Sequence, residues 1–373
     1  MRRRDALLLL GAAPLRAQEP IFDLLIRRGE VFDPGASGKG RLDIGIVGDR
    51  IAKIAPSLPA SRARLVIDAE EYTVTPGLID LRARCDPGRP GGVHADHHAL
   101  RNGVTTVIDA GSATAEGFAA AHERMSEAHT RVLCWLHVSE DADAGASVRA
   151  AREHTAAVAG VWAPRAADLA KARQVAAAAG KPLLTASPGA AALQAGEIQT
   201  QAFAREAAVV DAKRKLRPEM AAARKRGVRF DTGDLWFRIA GPAIEQGFLP
   251  DTISTNLTIE SVQLPRADMM TTLSKLINLG MTLPDVLARV TASAAAALGQ
   301  PELGTLREGG QADVALLALE PGPCGFLDMG HARLTGSRSL RCALTIRAGK
   351  AVWDPDGLVS ADWQHTGPYT NFR

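Results

Sequence analysis

A chain of 373 residues has room for a barrel of about 250 residues plus a smaller companion, which excludes a short binding module. With 46% hydrophobic and 23% charged residues, its composition excludes wholesale disorder. Basic residues number 44 against 41 acidic, a formal charge of +3, so no global field draws in nucleic acid or an anionic membrane and any anion site must be local.

Residues 1–18, MRRRDALLLLGAAPLRAQ, set three arginines before a run rich in leucine and alanine, with small residues around Ala17. That is the layout of an export signal, and it predicts a mature chain beginning near Gln18 and a periplasmic or secreted protein. Arg3 and Arg4 also suit a twin-arginine signal, and the residues do not choose between the two routes. The run is too short to cross a bilayer core of ~30 Å as a helix, which leaves an interfacial anchor as the alternative, and no later segment reads as a transmembrane span.

Short alternating segments with glycine turns follow: FDLLIRRGEVFD, RLDIGIVGDRIAKIAP and ARLVIDAEEYTVTPG. They predict small antiparallel strands. A matching set returns in ADVALLAL (312–319) and LRCALTIRAGKAVWDP (340–355). Residues 19–72 and 302–356 are therefore expected to form one composite β domain, with a C-terminal tail over 357–373.

Over 73–301 buried-looking strands alternate with alanine-rich helical stretches, the pattern of parallel βα units. The strand candidates are TPGLIDLRAR (75–84), GVTTVIDAG (103–111), TRVLCWLHVS (130–139), AGVWAPR (159–165), KPLLTAS (181–187), GEIQTQAF (196–203), GVRFDTGD (227–234) and DTISTNL (251–257). Helices are expected in AADLAKARQVAAAAG, RPEMAAARKRG and RADMMTTLSKLINLG. In the last, Met269, Met270, Leu273, Leu276 and Ile277 recur at helical spacing as a core face, and Gly280 closes it. Thr282 and Asp285 then have capping-box spacing. Eight such repeats predict a TIM (β/α)8 barrel, with its chemistry where strands end and βα loops begin.

The join TPGLIDLRAR resembles the first barrel strand of the amidohydrolase superfamily, where PGxIDxHxH supplies two metal-binding histidines. GVTTVIDAGS, GFLPDTISTNL, TTLSKLINLGM and LGTLREGGQADVALLAL resemble its metal-dependent deacetylase and dihydroorotase-like branch, so that the likeness covers roughly residues 21–355. It implies a barrel with a small β-sandwich domain built from both chain ends. It also implies one or two divalent metals, often zinc, whose bound water hydrolyses amides or esters.

That chemistry needs ligands which this sequence replaces. Arg82 and Arg84 stand where the resemblance implies the two histidines, and a protonated guanidinium offers a cation no lone pair. Trp162 stands for the fourth-strand lysine, Ala186 and Gln201 for the histidines of strands five and six, and Asn256 for the catalytic aspartate of strand eight. The expectation is a barrel without the usual metal centre, free of cofactor and non-catalytic, serving as a ligand-binding or assembly protein. The alternative is an active zinc-dependent hydrolase of amide or ester bonds with a rearranged site.

Arg82 and Arg84 are two apart on a strand and project to one side, which the resemblance makes the barrel mouth. Two guanidiniums there need partners. An internal network with Asp231 and Asp234, or with Asp86 nearby, would supply them; a small anionic ligand, a carboxylate or phosphate, gripped by the arginine pair is the sharper expectation. For the active-hydrolase alternative, His94 and His98 share a helical face in HADHHALR, and His137 on strand three is a third candidate ligand. Cys85, Cys134, Cys324 and Cys342 form no CxxC pair, and their disulfide state stays open. No dinucleotide or phosphate-loop motif, no GxSxG elbow and no basic run interleaved with aromatics is present, so nucleic acid is not an expected partner. A homo-oligomer remains open.

Overall fold

The computed structural model describes residues 22–34, 40–186, 189, 192–206 and 208–364; the expected export signal and the end of the tail lie outside them. The alternating segments at the two chain ends join one sheet. From the first half come β1 (Phe22–Val31), β2 (Gly40–Val47), β3 (Arg50–Ala55), β4 (Ala63–Asp68) and β5 (Thr73–Pro76).

The parallel sheet follows, with β6 (Leu78–Ala83), β7 (Val104–Ala110), β8 (Arg131–His137), β9 (Val158–Ala163), β10 (Leu183–Thr185), β11 (Ile198–Gln199) and β12 (Arg229–Phe230). The chain then returns to the first sheet with β13 (Val314–Leu327), β14 (Arg333–Arg347) and β15 (Lys350–Trp353).

The terminal strands run in the order β15-β14-β13-β5-β1-β2-β3, with β4 parallel to β1. Side chains alternate across a strand, and the inward set of Leu24, Ile26, Ile44, Ile46, Val314, Leu316, Leu344 and Ile346 packs into one apolar cluster. The two sequence halves meet where β13 pairs antiparallel with β5, Leu316 opposite Val74. The β13–β14 hairpin is longer than its expected strands, reaching Leu327 and resuming at Arg333. A register shift between Pro321 and Cys324 accommodates the prolines, which cannot donate to a ladder.

Strands β6 to β12 form one parallel sheet in sequence order, a curled, TIM-like half-barrel. Segment 251–257, expected as an eighth strand, touches both edges through isolated parallel bridges, Thr252 with Asp231 and Leu257 with Ala83. Buried on both faces, these strands are nearly continuous apolar runs. Ile79, Leu81, Ile108, Leu133, Trp135, Leu184 and Ile198 fill one cluster, while the opposite faces pack on the helices. Trp135 is fully buried and donates from Nε1 to the Leu81 carbonyl at 2.7 Å. Its ring lies against Gly160, where an added Cβ would sit 2.2 Å from the indole.

The expected helices form as Leu169–Ala179, Pro218–Lys225 and Met269–Asn278. Thr282 and Asp285 make the reciprocal capping box that their spacing predicts. At the junction of the two domains, Asp313 is 7% exposed and accepts from Arg131, Arg347 and the Ala348 amide at 3.1, 3.1 and 2.8 Å. All four cysteines are free thiols, with Cys85, Cys134 and Cys342 buried. Among the described residues no helix is long and apolar enough to cross a membrane.

Candidate functional site at the barrel mouth

On β6 the residues Asp80 and Arg82 share one parity and point to the same side of the strand. Asp80 is 4% exposed; it accepts from the Thr255 amide at 3.0 Å, the Thr255 hydroxyl at 2.5 Å and the Arg82 amide at 3.2 Å. Burial outweighs those bonds and pushes its carboxyl up to about 6.

Arg82 is 6% exposed, and its guanidinium lies over the Trp162 ring at 5.0 Å from the centroid. Its Nε and Nη1 atoms are buried with no hydrogen-bond partner. Burial lowers its pKa, opposed by through-space attraction from Asp234 and Asp231. Arg84, just beyond the strand, is exposed, and its amide donates to the Leu257 carbonyl at 2.9 Å. The residues Arg82, Arg84, Trp162 and Ala186 line one cavity of about 390 Å³ together with Arg89 and Ser112.

The expected carboxylate partners are committed elsewhere. Asp231 is fully buried and accepts from the hydroxyls of Thr200, Thr252 and Ser254 at 2.7, 2.9 and 2.5 Å. Asp234 accepts from the Asn256 amide group at 2.7 Å, and burial raises the pKa of both acids. Asp86 takes Arg124, with 2.9 Å between the Arg124 Nε and its Oδ1. Asn256 and Gln201 both hold positive φ, 49° and 60°. Gly233 is packed against the Gln201 backbone, where a Cβ would meet the amide nitrogen at 2.8 Å. Gln199 is fully buried with neither end of its amide bonded.

The three histidines of the alternative do not assemble. His94 caps a single short turn, Ala95–His98, rather than opening a longer helix. The Nδ1 atoms of His94 and His98 are buried without partners, and burial lowers the pKa of His98 and of His137. Among the described residues no three His, Cys, Asp or Glu side chains converge as a metal-binding group.

Sequence reading missed Asp80, Gln199, Arg89 and Ser112 as neighbours of the site. Asp80 was within reach, since the alternation that pairs Arg82 with Arg84 includes it.

No family model matches the chain. It is 26% identical over 369 residues to a deacetylase of Enterococcus faecalis, covering 88% of this chain and 98% of that protein. Over 89 residues it is 35% identical to a dihydroorotase of Clostridium acetobutylicum, 23% of this chain and 21% of that one. Among solved structures it superposes on an adenine deaminase with a TM-score of 0.81 at 24% identity, covering 89% of this chain and all of the other. Relatives named deacetylase and dihydroorotase support the resemblance to the deacetylase and dihydroorotase-like branch of the amidohydrolase superfamily. A solved dihydroorotase, at a TM-score of 0.79 and 21% identity, shares the fold over 89% of the chain.

The metal that the resemblance implies can be tested against the donors of this chain. Arg82 near the end of the first barrel strand and Arg84 just beyond it bring guanidiniums without a free lone pair, and Trp162 and Ala186 bring none suited to a hard cation. These residues do not fit a divalent metal.

Proposed function

We propose that this chain is an exported, non-hydrolytic amidohydrolase-fold protein, a ligand-binding or assembly protein whose mouth has exchanged metal donors for a cationic and aromatic lining. The proposal takes the barrel to be of the full (β/α)8 type, with segment 251–257 as its eighth stave, and the terminal sheet to curl into a sandwich. The domain bounds are those expected above, 19–72 with 302–356 for the sheet and 73–301 for the barrel.

One observation carries the reading: a buried arginine stacked on an indole occupies the strand ends where the resemblance implies metal donors. The catalytic base is replaced as well, because the Asn256 amide donates to Asp234 and cannot take a proton from water as a carboxylate does.

The test is metal content by plasma mass spectrometry on protein purified without chelator or tag metal, before and after incubation with zinc and manganese, alongside an amide and ester hydrolysis screen. The expected result is metal far below stoichiometry in both samples and no turnover. A stoichiometric metal with turnover would overturn the proposal and restore a zinc hydrolase using His94, His98 or His137.

A further inference from the structure

The cavity at the barrel mouth has an unbalanced lining. Three guanidiniums, those of Arg82, Arg84 and Arg89, border its volume of about 390 Å³, and no carboxylate lies among its described lining residues. The nearby acids lie outside the lining: Asp231 is enclosed by three hydroxyls, Asp234 accepts from the Asn256 amide, and Glu260 attracts Arg84 through space. Arg82 is 94% buried, bonded at neither Nε nor Nη1, and leans on the Trp162 face instead. A buried charge with neither of these atoms hydrogen-bonded, held by an indole face and by through-space attraction from Asp234 and Asp231, is costly unless an anion completes it.

The remaining walls select the kind of anion. Trp162, Pro164, Ala110 and Ala186 are apolar. Ser112, the one hydroxyl among the described lining residues, is engaged elsewhere: both its amide and its Oγ donate to Asp109, at 3.1 Å each. A phosphate would find guanidiniums but would leave the apolar wall bare. The volume is at the small end of the range for organic ligands, roughly 300–1,000 Å³.

We propose that the mouth binds a small organic carboxylic acid, its carboxylate between Arg82 and Arg84 and its apolar body against Trp162, Pro164 and Ala186. The inference deepens the non-hydrolytic reading and rests on it, since a metal at the strand ends would occupy the same place.

The experiment is isothermal titration of the full chain with benzoate, phenylacetate, neutral benzamide and inorganic phosphate, each up to about 10 mM. Benzoate or phenylacetate is expected to bind, and benzamide and phosphate to bind at least roughly tenfold more weakly. Arg82→Met should abolish carboxylate binding. Should that variant fail to fold, Arg84→Gln decides the matter, because Arg84 is exposed and its loss should weaken binding about tenfold without unfolding the barrel. Absence of binding by both carboxylates, phosphate binding as tightly as they do, or binding unchanged in Arg84→Gln would each overturn the assignment. Those failures differ from failure of the underlying reading, which would show as stoichiometric metal and turnover.

Discussion

Replacing Asp80 by Asn should make the protein more stable at neutral pH and leave it nearly unchanged near pH 4. Asp80 ionises at about 6 in the folded chain against an ordinary 3.8, because burial outweighs the bonds from Thr255 and Arg82. The folded state therefore holds a proton that the unfolded state has released, so stability falls as pH rises from about 4 to about 6 and is flat above that window. That displacement is worth about 3 kcal/mol, an upper figure because the ionised form also attracts Arg82. Asn keeps the carbonyl that accepts from the Thr255 and Arg82 amides, and its own amide can donate to the Thr255 hydroxyl. Denaturant unfolding of both proteins from pH 4 to 8 reads the difference directly, and other buried acids cancel between them. A gap between the two proteins that stays constant with pH would refute the assignment of this proton to Asp80.

Other perturbations follow from packing and charge. Gly160→Ala places a methyl 2.2 Å from the Trp135 ring and 2.7 Å from the Pro182 carbonyl; because backbone cannot yield as a side chain does, a loss of about 1–3 kcal/mol is expected in thermal unfolding. Asp313→Ala strips two arginines and one amide of their shared acceptor, and should cost about 3–5 kcal/mol and increase hydrogen exchange where β13 and β14 meet the barrel. Thr282→Ala removes one half of a capping box, with an expected loss of about 1 kcal/mol in denaturant midpoint analysis.

The parallel strands were legible because burial on both faces gives them apolar runs that stop at turn residues; β6, β7, β8 and β10 each fall within an expected segment, and β9 begins one residue before its own. The outer part of the β13–β14 hairpin was not legible: EPGPCGFL carries two prolines and two glycines, and its pairing depends on a register shift that period-two reading does not anticipate. At the site, alternation placed Arg82 and Arg84 together, but it could not say that one would be buried on Trp162 and the other exposed where the strand has ended. Nor could it find the hydroxyls that enclose Asp231. Thr200, Thr252 and Ser254 come from two separate segments, and their convergence is a property of the curled sheet. Gln199 was overlooked in favour of Gln201, since a two-residue strand gives parity too little length to register.

The free cysteines make the chain its own unfolding gauge. Burial raises the thiols of Cys85, Cys134 and Cys342 well away from the reactive thiolate, while Cys324 sits half-exposed on the hairpin. A thiol reagent should therefore count one group quickly in the native protein and three more only as the core opens. A dye placed at Cys324 would report on the hairpin without touching the mouth, and the delay before the other thiols react would time the opening of the barrel itself.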